Sequence, residues 1–386
     1  MKKTSFIKAL SLSFVLSLLL GIISFADGAF YPTVLEEDKY PDVSADSYVL
    51  LDARTGEMLF CHNEKKRMPI ASVTKVMTAL VVLENADLRD VVTVTADSCG
   101  IEGSSVYLYE GEKLSVEDLL YALMLESAND AAVCLANHVS GSVSDFSKLM
   151  NDKAESLGLR DTHFNNPHGL EDPEHYSTAI DIATVWCEAM KNDDFRRIVS
   201  TKTYRIDLSD EDGYRFLSNH NKLLKSFENC IGGKTGFTKT AGRCLVSGAK
   251  SDDLELVMVT LNAPDDWNDH KNLMSYAMKL YSKVSVAEEG TLSYEIPVVG
   301  GKKDSVTLSN IEDLTLTVRD VSLLKSRIEA PKFVYAPIEI KEKPLAKVLY
   351  SVNGRDVAEL PLYPQNTVAL PKKTGFFKRI FKSIFK

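Results

Sequence analysis

Ser72 and Lys75 stand three residues apart near the start of the stretch from Met68 to Leu83, MPIASVTKVMTALVVL. A serine hydroxyl becomes a useful nucleophile only when a base removes its proton. A lysine can be that base once it is largely neutral. That requires a fall from ~10.4 to near 7, or ~4 kcal/mol in favour of the free amine. Burial and a second cation nearby both push in that direction. Residues three apart on a helix share a face. The stretch is patterned as a helix: Val73, Val76, Leu80 and Leu83 recur at helical spacing, and Met77, Val81 and Val82 are apolar too. Pro69 suits a first turn, where its missing N–H loses no partner. The expectation is a buried helix with both polar side chains at its first turn, beside free N–H groups and a positive dipole end fit for an oxyanion.

The Ser-x-x-Lys spacing alone is weak evidence, since it recurs at Ser5/Lys8, Ser247/Lys250, Ser322/Lys325 and Ser383/Lys386. Its weight comes from company. Ser127-Ala128-Asn129 falls where one helical pattern, DLLYALMLE, stops and another, AAVCLANHV, starts. Lys234-Thr235-Gly236 falls on a glycine-flanked strand pattern. Ser351-Val352-Asn353 and Lys373-Thr374-Gly375 repeat these motifs late in the chain, the latter in a basic segment with no strand around it. Three motifs in order, each in a fitting context, are far rarer than any one.

S-x-x-K, S-x-N and K-T-G in this order resemble the penicillin-binding, serine-active-site acyltransferases, which include the class A β-lactamases. Within that group the chain is similar to the low-molecular-mass penicillin-binding proteins, D-alanyl-D-alanine carboxypeptidases. The likeness extends to HFNNPHGL, to Ser177-Thr178-Ala179 with Asp181, and over essentially the whole chain after its leader. The resemblance implies an α+β fold: a β-lactamase/transpeptidase-like domain of antiparallel sheet plus helical subdomain, then a small all-β domain and an amphipathic C-terminal helix. It implies that Ser72 attacks the carbonyl of the penultimate D-alanine of a peptidoglycan stem peptide. Lys75 then takes the proton, Ser127 relays one to the leaving amine, and β-lactams act as inhibitors. Asn129 would bond the substrate amide, and Lys234 and Thr235 the terminal carboxylate. Gly236 would clear room for the substrate backbone along the strand. Backbone N–H groups of Ser72 and Phe237 would form the oxyanion hole. Arg243 is a second carboxylate candidate or else a surface ion pair. Phe237 departs from the histidine that some of these carboxypeptidases carry after Lys-Thr-Gly, so only its backbone role carries over. No cofactor or metal is implied.

Three rival readings share much of this pattern. A class A β-lactamase needs a deacylating glutamate, for which the corresponding loop offers only Glu171 and Glu174. A transpeptidase differs only in the acceptor that reaches the acyl-enzyme. A non-catalytic peptidoglycan-binding or penicillin-sensing protein would not need Ser72.

These residues require elements to hold them. Ser47 to Asp52 and Glu57 to Cys61 read as strands joined by Ala53-Arg54-Thr55-Gly56, a hairpin. Val91–Thr95 reads as a short strand and Ser104–Tyr109 as another extended piece. Ser115 with Glu117 and Asp118 opens a helix. Phe146–Leu157 and Thr178–Met190 are further helices. From Cys230 onward, IGGKTGF, RCLVSGAK and LELVMVTLNA are consecutive antiparallel strands, closed by a helix from about Asp266 to Lys283. Strands at both ends suggest that the first hairpin joins the last sheet. Residues 27–283 form the peptidase domain on this reading, and the alternating pattern of residues 284–370 forms a separate β-domain.

Length and composition are those of a globular protein of about two domains: 386 residues, 45% hydrophobic and 26% charged. Lys2, Lys3 and Lys8 precede an apolar run from Ala9 to Phe25 that ends Ser24-Phe25-Ala26, a secretory signal peptide over residues 1–26. An uncleaved anchor is the alternative. Residues 371–386 place Phe376, Phe377, Ile380, Phe381, Ile384 and Phe385 on one helical face and Lys378, Arg379, Lys382 and Lys386 on the other. Such a helix is too short to span a bilayer and suited to lie in its interface, worth roughly 5–10 kcal/mol before ordering costs. Docking on the protein's own body is the alternative. The expected location is the outer face of the cytoplasmic membrane. Leader and tail hold nine of the 45 Lys and Arg, leaving 36 against 54 Asp and Glu, near −18. That acidic body argues against nucleic acid as a partner.

None of the six cysteines forms a C-x-x-C pair; Cys230 and Cys244 flank the expected hairpin with their pairing open, and Cys134 and Cys187 read as buried thiols. His163, His168 and His175 read as structural histidines of one loop rather than as metal ligands.

Overall fold

A computed structural model of the chain describes residues 40–208, 213–251, 254–352 and 354–371. The expected leader, and all but the first residue of the expected tail, lie outside those residues. The first hairpin, β1 (Ser47–Asp52) and β2 (Met58–His62), forms as the pattern predicts, with Val49 opposite Cys61. β1 also pairs along its length with β9 (Glu255–Leu261), for example Val49 with Val259. With β7 (Cys230–Thr238) and β8 (Gly242–Lys250), the sheet runs β2-β1-β9-β8-β7, all antiparallel, so the first and last strands of this domain meet in one sheet. Side chains of a strand alternate between faces. Val49, Leu51, Val257 and Val259 accordingly enter one core, while Tyr48, Leu50, Leu256 and Met258 enter another against Leu273 and Met274.

The larger core belongs to the helical lobe. Its helices are α1 (Lys75–Asn85), α2 (Val116–Leu125), α3 (Asn129–Ser140), α4 (Val143–Ser156), α5 (Ala179–Ala189) and α6 (Asp193–Ser200). Three of their starts carry side-chain caps of the Ser/Thr kind, and the one at Ser115 is the start the sequence predicts. Ser115 and Asp118 form a reciprocal capping box, and the Ser142 and Thr178 hydroxyls accept from the backbone N–H groups of Asp145 and Asp181. Two short hairpins, β3 (Val91–Thr93) with β4 (Lys113–Ser115) and β5 (Thr203–Asp207) with β6 (Tyr214–Ser218), lie on its margin. A single turn, α7 (Leu223–Ser226), leads into β7, and α8 (Asp266–Leu280) covers the sheet's second face.

Four details differ from the sequence reading. Met68 pairs with Ser177 in an isolated bridge, and residues Ala71–Thr74 form a 3₁₀ turn, so the α-helix starts only at Lys75. Ala71 at φ 47° cannot continue a right-handed helix. Ser104–Tyr109 joins no sheet, because its amides go to a carboxylate instead: Asp130 accepts from Val106 N at 3.2 Å and Leu108 N at 3.1 Å. The second hairpin and α6 had no clear pattern to announce them. The cysteines are all free, since Cys230 lies opposite Ala249 while Cys244 lies opposite Gly236, near the other end of the strand pair. Of the two thiols expected inside, Cys134 is buried and Cys187 half-buried.

Beyond α8 the described residues form strands, with one 3₁₀ turn at Val321–Leu323. β10 (Ser282–Ala287) pairs with β13 (Leu314–Val318). A six-stranded sheet has β14 (Leu324–Glu329), β16 (Ala346–Val352), β17 (Arg355–Pro364), β12 (Ser305–Ser309), β11 (Tyr294–Val299) and β15 (Val334–Tyr335) in that order. Ile296, Val306, Leu308, Leu360 and Leu362 fill its core. One buried contact reaches back to the first sheet, the Thr317 hydroxyl donating to the Asp52 carboxylate.

The capping box is a stability element that can be tested away from the site. Ser115→Ala leaves Asp118 N without its side-chain acceptor, and about 1 kcal/mol of stability is expected to be lost. Urea unfolding of the helical lobe, followed by circular dichroism, checks it.

Candidate active site

Ser72 sits in the 3₁₀ turn at the entrance to α1, against the edge strand β7. The Lys75 side chain, one turn on, is wholly buried and donates to three oxygens: Ser72 Oγ at 2.8 Å, Asn129 Oδ1 at 2.7 Å and the His168 carbonyl at 2.7 Å. Two of these are carbonyl oxygens that can only accept. A neutral amine therefore spends its two N–H bonds on His168 and Asn129 and keeps its lone pair for the Ser72 hydroxyl.

Burial holds the Lys75 ammonium well below the usual lysine range, and the Lys234 charge pushes the same way, against the Asp130 carboxylate. Lys234, also buried, donates to the Thr235 carbonyl at 2.9 Å; burial brings its pKa down to about 7.

Ser127 occupies the junction between α2 and α3 at φ 60°, a conformation costly for a residue with a side chain. It shares a cleft of about 340 Å³ with Ser72, Thr235, Gly236, Phe237 and Arg243. Asn129 is not in that lining. Its Oδ1 takes Lys75, and its Nδ2 donates to the Glu102 carbonyl at 2.6 Å, so both ends are engaged within the protein. Gly236 also has a tighter reason than substrate clearance. A Cβ there would stand 3.0 Å from Ser72 N and 3.1 Å from the Ile70 carbonyl oxygen, so the glycine admits the nucleophile turn itself. The Phe237 ring is 68% exposed at the cleft lip. Arg243 is in the cleft and also ion-paired: Nη2 donates to Asp266 at 2.5 Å, and the guanidinium lies 5.6 Å over the Trp267 ring.

Several contributors escaped the sequence reading, and they come from the loop carrying the three histidines. His168 supplies the carbonyl that holds Lys75. Pro167, just before it, accepts from Thr78 Oγ1 at 2.6 Å. His175 Nδ1 accepts from Asn165 N at 3.1 Å, which leaves its Nε2 to donate to Thr74 Oγ1 at 2.8 Å; that hydroxyl in turn donates to the Ala71 carbonyl at 2.8 Å. Burial keeps both imidazoles neutral, lowering His168 to about 3 and His175 to about 4. Gly169 is at φ +87°, and a Cβ on it would fall 1.9 Å from the Ala71 carbonyl oxygen. The motif HFNNPHGL was visible as a string. Its backbone bond to Lys75 left no residue-type signal, because any residue has a carbonyl.

Glu171 is turned away from the nucleophile: its carboxylate accepts from Thr240 N at 3.1 Å and lines a neighbouring cleft that Ser72 does not line.

A serine and two buried lysines, held between a helical lobe and the edge of an antiparallel sheet, define an acyl-transferring serine enzyme of the penicillin-recognising kind. Residues 34–265 match the family model described as D-alanyl-D-alanine carboxypeptidase, and residues 281–370 match that of the C-terminal domain of penicillin-binding protein 5. The chain is 30% identical to D-alanyl-D-alanine carboxypeptidase DacF of Bacillus subtilis, covering 93% of this chain and 95% of the relative. It is 32% identical to DacA of Haemophilus influenzae over 88% of each. Among solved structures, penicillin binding protein 5 from Haemophilus influenzae superposes with a TM-score of 0.77 at 31% identity, over 86% of this chain and 99% of that one. The chain belongs to the D-alanyl-D-alanine carboxypeptidase family.

The two lysines make a signed prediction. If Lys75 must be unprotonated, acylation by penicillin is lost as pH falls through the Lys75 pKa. Removing the Lys234 charge raises that pKa, so in Lys234→Ala the acid limb of the acylation rate is expected at higher pH. Stopped-flow acylation across pH measures the limb position, and an unmoved limb refutes the link.

Proposed function

We propose that the chain removes the terminal D-alanine from peptidoglycan stem pentapeptides through an acyl-enzyme on Ser72. The observation that carries this is the placement of Ser72 Oγ 2.8 Å from a buried amine whose other contacts are fixed carbonyl acceptors. Ser72 Oγ attacks the carbonyl of the penultimate D-alanine, and its proton passes to Lys75 Nζ. Backbone N–H groups of Ser72 and Phe237 take the developing oxyanion; such a donor is typically worth ~10²–10³ in rate. The C–N bond then breaks, with Ser127 relaying the proton to the leaving amine. Water attacks the ester, Lys75 takes a proton from it, and Ser72 Oγ leaves reprotonated.

Lys234, Thr235 and Arg243 recognise the terminal carboxylate at one end of the cleft. Asn129 serves chiefly by holding Lys75. A β-lactam enters the same first step and stays, because Glu171, bonded to Thr240, is no base for rapid release.

The test pairs two measurements. Labelled penicillin is expected to attach to Ser72 of the folded protein and not to Ser72→Ala. Mass spectrometry of a pentapeptide ending in two D-alanines is expected to show loss of one alanine; cross-linked product would mark a transpeptidase instead.

The protein acts outside the cell in this reading, exported by residues 1–26 and held at the membrane surface by residues 371–386. The support is the sequence pattern at each end; among the described residues no helix is long and apolar enough to cross a membrane. Deleting Gly375 to Lys386 is expected to release the protein from membranes while leaving hydrolysis intact. A truncated protein that still pellets with membranes overturns the anchor.

A further inference from the structure

At one end of the C-terminal sheet three segments are bonded into a single surface. β15 runs parallel to β11 with Tyr335 beside Val299. Ala336 N donates to the Val299 carbonyl at 3.1 Å and Lys302 N to the Ala369 carbonyl at 2.9 Å. Ile338 and Val368 exchange both backbone bonds, at 3.0 and 2.9 Å. What these segments turn outward is apolar: Tyr335 is 68% exposed, Leu370 54%, Phe333 47% and Val299 45%. The Phe333 and Tyr335 rings meet edge-on at 5.5 Å. Contiguous exposed apolar groups of this kind mark an interaction surface.

Two observations identify its partner. Lys302, Lys303 and Lys332 are exposed in the same segments, and none has an ion-pair partner among the described residues. The described chain ends at Pro371, one residue beyond Leu370, so residues 372–386, KKTGFFKRIFKSIFK, depart from this patch. That segment carries six basic residues and no acid. Only Pro371 to Gly375 separate the patch from the first apolar residue of the tail. Five extended residues reach at most about 18 Å.

We propose that this surface is a second lipid-contact site, laid on the same anionic bilayer as the tail. Aromatic rings favour the headgroup level, with one side apolar and the other wet. Free lysines beside them meet anionic lipid within a Debye length. Glu339 and Glu342, lining the adjoining groove with Phe333 and Tyr335, oppose that attraction and restrict the contact to the aromatic rim. The inference rests on the tail being a membrane anchor.

The test uses the chain from Asp27 to Lys386, with vesicles of phosphatidylglycerol and phosphatidylcholine brominated in its acyl chains. Bromine quenches indole fluorescence only at contact range. The indole introduced by Phe333→Trp is expected to be quenched, while the parent, whose Trp186 and Trp267 lie in the catalytic domain, is not. The double substitution F333A/Y335A is expected to weaken vesicle partitioning about tenfold with peptide hydrolysis unchanged. A parent chain that fails to pellet with these vesicles overturns the anchor and this site together. Pelleting without quenching overturns this site alone. So does a blue-shifted emission without vesicles, whether it vanishes on ending the chain at Pro371 (the tail covers the patch) or rises with protein concentration (a second copy does).

Discussion

Two ammonium groups placed in a space that excludes water cannot both stay charged. Lys75 and Lys234 are 0% and 1% exposed, and the structure gives neither a carboxylate in direct contact. Taking an ion out of water without a counter-charge is costly, and the group responds by giving up its proton. The fold exploits that response. A lysine that elsewhere would be inert as a base is kept ready to accept a proton beside a hydroxyl.

Readiness also requires aim, and the aim comes from three parts of the chain. α1 carries Lys75, α3 contributes Asn129, and the loop before α5 contributes the His168 carbonyl. Asn129 is itself fixed through Glu102, and the carboxylate of its neighbour Asp130 gathers the amides of the 104–108 segment over the start of α3. The nucleophile turn is held as firmly. Ala71 at φ 47° is strained for a residue with a side chain, and strain persists only where surroundings enforce it. The Thr74 hydroxyl bonds its carbonyl from one side and is itself held by His175, while Gly169 and Gly236 leave no side chain in the way. Sheet, loop and helix thus meet at one backbone turn.

The cleft beside that turn is lined mainly by polar side chains. Its lining includes Arg243 on Trp267, with Lys222 and His220, and is suited to a carboxylate. Glu171, which caps the β7–β8 turn through Thr240, lines a neighbouring cleft instead. Beyond the catalytic sheet, the C-terminal strands form their own core and touch β1 through the buried Thr317 and Asp52 pair.

Much of this was readable from residue types and spacing alone. The first hairpin, the capped start of α2, the strands around Lys-Thr-Gly and the joining of the domain's first and last strands in one sheet all follow from periodicity and turn chemistry, which are local. So does the trio of Ser72, Ser127 and Lys234 as a constellation, because each motif keeps its own residues. What the amino-acid order left open was decided by contacts between residues far apart. The helix start moved to Lys75 because Ala71 is pressed by a loop about a hundred residues away. The extended 104–109 segment joins no sheet because a carboxylate took its amides. Asn129 turned inward to Lys75 because a backbone carbonyl at Glu102 holds its other end. Backbone groups of any residue type made those choices, and a backbone group leaves no mark in a sequence until the chain has folded around it.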